Sequence, residues 1–104
     1  MLSQIRAHVN AVDSDATVIL YGSRARGEER SDSDWDLLIL TESEAGVDTE
    51  RKFRDQLYDL ELETGEAFSI FVYSKDEWAN YQSVTPFYQN VIKDGIYVYQ
   101  VLAP

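Results

Sequence analysis

The chain contains no cysteine. Disulfide bridges and cysteine-held metal centres are thereby excluded, and the absence fits a reducing, cytoplasmic address. Histidine is nearly absent: the single copy, His8, falls on the polar side of an amphipathic segment and is not read as catalytic. Bases are scarce, nine Lys and Arg against nineteen Asp and Glu, for a formal net charge of −10. Such a surface disfavours polyanions, so direct nucleic-acid binding is not expected. A basic protein partner or divalent cations suit it better. Long apolar runs are missing too. None approaches the roughly 18–20 residues that span a bilayer, so no membrane role is expected. The opening stretch MLSQIRAHVNAVDSD lacks the uninterrupted apolar core of a secretion signal.

What is present is enough for a core. Apolar residues make up 44% of 104 positions, which favours a packed globule and one domain over 1–104. Leu2, Ile5, Val9 and Val12 recur at helical spacing over 2–12. ATVILYG at 16–22 is rich in β-branched residues and ends at a glycine, a strand pattern, and WDLLIL at 35–40 predicts a second strand. The segment between them reads as a turn or one short helix. Phe53, Leu57 and Leu60 share one helical face before Gly65, a plausible stop. AFSIFVYS at 67–74 predicts a third strand, and KDEWANYQ a short helix. Thr85 and Pro86 supply an N-cap and a first helical position, with Gly95 as terminator. The last stretch, IYVYQVL, is an edge strand or a tail packed on the body. The expected class is α/β (α+β): a small mixed sheet of three to four strands with helices packed on it.

The chemistry concentrates in LYGSRARGEERSDSDWDLLIL, residues 20–40. Side chains alternate along a strand, so Asp34 and Asp36 share a face with Leu38 and Leu40, while Trp35, Leu37 and Ile39 face a core. Two carboxylates one repeat apart repel each other. A hard divalent cation such as Mg²⁺ relieves that repulsion, and a pair of such ions can clamp both oxygens of an in-line phosphoryl displacement. Upstream, Gly22 follows a strand and lets backbone approach a ligand closely. Ser23 offers a hydroxyl, and the following N–H groups form an anion cradle. Arg24 and Arg26 are available for phosphate oxygens, or else pair with Glu28, Glu29 or Asp32. An anion-binding half and a cation-binding half together suit a metal-bound triphosphate. The bland alternative is a pair of solvated acids at a strand mouth.

Other phosphate and metal motifs do not fit. A P-loop needs a lysine, and none lies between 22 and 40. Asp32, Asp34 and Asp36 imitate three EF-hand positions, but Leu37 stands where that loop needs glycine and Ser43 where it needs glutamate.

The order Gly22, Ser23, ten residues, Asp34-x-Asp36 resembles the signature of the DNA polymerase β-like nucleotidyltransferase superfamily. The longer string GSRARG…SDxDL is similar to its minimal nucleotidyltransferase (MNT) branch, small proteins that act as antitoxins beside HEPN toxins. The resemblance implies that Asp34 and Asp36 are catalytic and hold Mg²⁺, and that Gly22 and Ser23, with Arg24, hold the nucleotide phosphates. It implies transfer of a nucleoside monophosphate, AMP from ATP, to a hydroxyl, which in MNT antitoxins can be a tyrosine on the partner HEPN-type toxin.

One element of the family pattern is missing. A third carboxylate usually comes from the following strand, and that alignment lands on Ser69. No aspartate lies between 60 and 75, so the absence does not depend on register. A serine hydroxyl is a poor metal ligand and a poor base at neutral pH. Either Glu66, three residues earlier, substitutes, or transfer is slow or lost. Two functions therefore stand side by side: a Mg²⁺-dependent nucleotidyltransferase, and a degenerate MNT-like binding module that neutralises a basic partner by masking it. A purely structural domain explains neither half of the 20–40 stretch.

Overall fold

A computed structural model describes residues 1–98. The elements follow the predicted order: α1 (Leu2–Asn10), β1 (Thr17–Tyr21), α2 (Gly22–Arg26), β2 (Trp35–Thr41), α3 (Val47–Thr64), β3 (Phe68–Ser74), α4 (Lys75–Asn80), α5 (Pro86–Asp94) and β4 (Ile96–Tyr97). The strands form one mixed four-stranded sheet in the order β3-β2-β1-β4. β1 pairs antiparallel with β2 and β4, whereas β2 and β3 are parallel. Parallel neighbours need a long crossover, and α3 supplies it.

Both faces of the sheet are covered. Leu37 and Ile39 point into one cluster with Val18, Leu20 and Ile70, closed by Ile5 and Val9 of α1 and Phe53, Leu57 and Leu60 of α3. Leu38 and Leu40 point the other way and join Ile19, Trp78 of α4 and Val91 of α5. Burial on both faces is why WDLLIL reads as a continuous apolar run rather than an alternation. Phe53 is fully buried, so Phe53→Ala is expected to cost about 3–5 kcal/mol.

Local signals explain the boundaries. Gly65 closes α3 in the left-handed region, φ 75°. The Thr85 side chain accepts the Tyr88 amide at the start of α5. Gly95 ends α5 for a different reason. Its backbone is extended, and an added Cβ would lie 2.4 Å from the Val91 carbonyl oxygen and 2.7 Å from Ile19 Cγ2. Crowding against β1, not backbone handedness, requires glycine there. The terminal stretch begins as an edge strand on β1, and residues 99–104 lie outside the described residues. No described helix is long and apolar enough to cross a membrane.

Candidate functional site

β1 ends at Tyr21, and the chain turns at Gly22 with φ 76°. The register then fixes what meets what: Tyr21 lies opposite Asp36 on β2, and Asp36 beside Ser69 on β3. Three strands thus deliver Tyr21, Asp36 and Ser69 in a row on the sheet face that α4 and α5 cover further along. The turn and the acid are in close contact. A Cβ built on Gly22 would lie 2.3 Å from Asp36 Oδ2. Positive φ and that contact together make the position one that only glycine fills without strain. Asp34 lies just before β2 begins and is exposed.

The acids feel each other. Burial, then the Asp34 charge, push the Asp36 carboxyl above the usual carboxylate range, and Arg26 only partly offsets them. Burial, Asp36 and Tyr73 push the Tyr21 phenol up to about 12. Arg26 stands at the rim, 3.5 Å from Glu28 and 3.8 Å from Asp94 at the end of α5. It is the arginine on the acid side of the sheet, a distinction the alternating RAR spacing did not reveal. The expected pairing of Arg26 with Glu28 is present.

Arg24 is engaged elsewhere. Its Nε and Nη2 donate to the Ser33 carbonyl at 3.1 and 2.7 Å, Nη2 also meets Glu66 Oε2 at 3.4 Å, and the guanidinium lies 4.3 Å over the Trp35 ring. None of Glu28, Glu29 and Asp32, the partners the sequence offered it, is the one it takes. Trp35 faces the α1–α3 side, so Arg24 and Glu66 form a cluster across β2 from Asp36. The structure therefore brings Gly22, Asp36 and Ser69 together, with Ser23 in the first turn of α2 and Asp34 close enough to shift Asp36. It keeps Arg24 and Glu66 apart from them. A groove of about 280 Å³ between α3 and β3, lined by Arg54, Tyr58, Glu61 and Phe68 among others, opens on the far side of the sheet from Asp36.

Among the described residues no group of three or more His, Asp and Glu side chains is gathered to hold a metal ion. The carboxylate pair still fits Mg²⁺, which is commonly held by one or two carboxylates plus substrate phosphates rather than by an all-protein cage. With no Cβ on Gly22, the backbone of the turn lies directly against the Asp36 carboxylate.

Comparison with known proteins agrees with this fold. The family model for Polymerase beta, Nucleotidyltransferase matches residues 4–101. No curated protein matches significantly. Among solved structures the fold is similar to a toxin–antitoxin crystallised with AMP-PNP, with TM-score 0.70 and 14% identity over 96% of this chain and 73% of that one. It is also similar to a toxin–antitoxin MntA-HpeT mutant carrying two aspartate-to-glutamate changes spaced two apart, with TM-score 0.68 and 12% identity over 97% and 74% of the two chains.

Proposed function

The chain belongs to the Polymerase beta nucleotidyltransferase family, and from that membership we propose that it transfers AMP from Mg²⁺-bound ATP to a hydroxyl, a tyrosine of a HEPN-type toxin, and so acts as an antitoxin. The contact between the Gly22 bend and the Asp36 carboxylate carries the reading. A turn suited to anions meets an acid suited to a cation there, which supports this reading over a purely structural domain. The amides of the turn and the Ser23 hydroxyl bind phosphate oxygens. Asp34 and Asp36 hold Mg²⁺. When bound, that ion neutralises phosphate charge and polarises the phosphoryl oxygen. The protein's part is positioning and charge rather than covalent chemistry. Arg24 serves this site indirectly, by fixing Ser33 and with it the entry to β2. The AMP-PNP of one structural neighbour supports an adenine nucleotide as donor.

Masking of a basic toxin without transfer is the second reading. It is favoured by Ser69 beside Asp36, by Glu66 paired with Arg24, and by the net charge of −10. Incubation with labelled ATP, Mg²⁺ and the partner toxin separates the two. Label on the toxin, abolished by Asp36→Ala, supports transfer. A tight unlabelled complex that tolerates Asp36→Ala supports masking.

A further inference from the structure

We propose that the outer edge of β3 is a docking site for an extended, lysine- or arginine-bearing segment of a partner protein. The segment adds to the sheet as a fifth strand and seats apolar side chains in the groove beside α3. This surface lies across the sheet from Asp36, and the inference does not depend on the transfer reading. β3 ends the sheet order, so only its β2 side is paired. The Trp35 amide donates to the Ala67 carbonyl, and the parallel register carries that pattern along the strand. Ala67 and Ser69 therefore turn their backbone groups toward β2, while Phe68, Ile70 and Val72 turn theirs outward.

Edge strands are usually blunted by charged residues, proline or bulges. β3, FSIFVYS, carries no charge, no proline and no glycine. What guards its outer side comes from α3 instead. The Glu61 carboxylate accepts the Phe68 amide at 2.8 Å, and Arg54 Nη2 donates to the Ile70 carbonyl at 3.5 Å. One acceptor and one donor, two residues apart, are what the backbone of a neighbouring strand offers. Further along, no described residue bonds the outward groups of Val72.

The space beside the edge suits side chains as well as backbone. The groove of about 280 Å³ has Leu57, Phe68 and Ile70 in its lining and Tyr58, 57% exposed, on its wall. It shares Arg54 and Asp55 with a second concavity of about 300 Å³, which continues along α3 to Val47. Strand addition combines main-chain bonds to an edge with pockets for alternate side chains, and both halves of that arrangement are present here.

Charge selects the occupant. The stretch 55–66 carries Asp55, Asp59, Glu61, Glu63 and Glu66 and no Lys or Arg. The last turn of α3 holds no base, so these acids add to the negative end of the helix dipole. Among the described residues only Glu66 of this group has a basic partner, Arg24. A second copy of this chain would set the acidic strip against itself across a twofold axis. A cationic segment is drawn to it.

The probe is a peptide of about seven alternating Val and Thr residues between lysines. It is compared with one carrying a central proline and one flanked by glutamates, each titrated into the full chain and followed by NMR. The lysine peptide is expected to bind and to slow hydrogen exchange of the Val72 amide at least about tenfold. The central proline should abolish binding, and the glutamate flanks should weaken it at least about tenfold. Tyr58→Ser, at an exposed position, should raise the Kd at least about fivefold and leave the melting temperature unchanged. Equal binding of the lysine and proline peptides, no binding at about 1 mM, or an unaltered Kd in Tyr58→Ser would each overturn the inference. So would a Val72 amide already slow to exchange without peptide, or a dimer of this chain in sedimentation that Tyr58→Ser dissolves. None of these readouts involves Mg²⁺ or ATP, so loss of the transfer reading leaves the inference standing, and the reverse also holds.

Discussion

Two part-buried carboxylates, one at each end of β2, have opposite fates. At the far end, Asp13 Oδ2 accepts the Thr41 hydroxyl at 2.8 Å and the Glu42 amide at 3.0 Å, while Oδ1 accepts the Asp15 amide at 2.9 Å. Burial pushes its pKa up, but those three donors and nearby Lys75 outweigh burial, and the group is held below the usual range. Asp36, at the near end, is also desolvated but faces another acid, and its pKa rises. A carboxylate with its donors in place is part of the structure. One that is desolvated and set beside a like charge destabilises the empty fold and is relieved by a cation or by a proton. The contrast separates architecture from chemistry without reference to any relative.

The sharpest way to break the contrast is to neutralise each acid. Asp36→Asn should lower transfer to the partner by roughly 10²–10³-fold, measured as label per minute, while the protein stays folded. Asp13→Ala should leave Mg²⁺–ATP binding intact but remove the acceptor of the Thr41 hydroxyl and of the Asp15 and Glu42 amides, costing about 2 kcal/mol and lowering the melting midpoint by about 10 °C. Gly22→Ala puts a methyl against Asp36 in a left-handed conformation. A loss of about 1 kcal/mol is expected, together with loss of the nucleotide-induced thermal shift.

The smallest effects lie in pH. Asp13 contributes stability that is present above its unfolded pKa of 3.8 and is lost as pH falls through its lower folded value. Asp36 has the opposite sign: its cost is present above its raised folded pKa and disappears as pH falls through that value toward 3.8. Asp36→Asn should therefore be slightly more stable than the parent at pH 7, and the gap should close on acidification before the Asp13 contribution begins to fail. Denaturant midpoints from pH 7 to 3 measure both. A gap that widened on acidification would contradict the assignment.

Much of this was legible in the sequence because periodicity encodes it. Phe53, Leu57 and Leu60 announce one buried face, and the spacing from Gly22 to Asp36 announces a turn meeting an acid. Ser69 was found beside Asp36 because β3 pairs with β2 in the register that motif order implied. What stayed hidden depends on contacts between distant segments. Nothing local says that Arg24 reaches Ser33 and Glu66 while Arg26 turns to Asp94, because both arginines sit in the same short helix and only the path of the 27–34 loop distinguishes them. The aromatic cluster on this face was hidden for a related reason. Phe71 and Phe87 are sixteen residues apart, and the aromatic stretch from Trp78 onward reads as core packing until α5 is seen against Tyr21. Gly95 reads as an ordinary helix terminator, and its crowding by Ile19 is visible only in three dimensions.

The clasp between Arg24 and the Ser33 carbonyl makes the intervening segment a closed lariat. The part that the ends do not need is the exposed tip at Glu29, because Glu28 donates its amide to the Ser23 carbonyl and pairs with Arg26, and Arg30 and Ser33 bond to each other. A few glycines and serines grafted into the tip should therefore be tolerated, since lengthening a loop whose ends are already joined costs little entropy. For the same reason, two fragments divided at the tip could be offered separately and reassemble into one working domain, a natural place to build a split reporter.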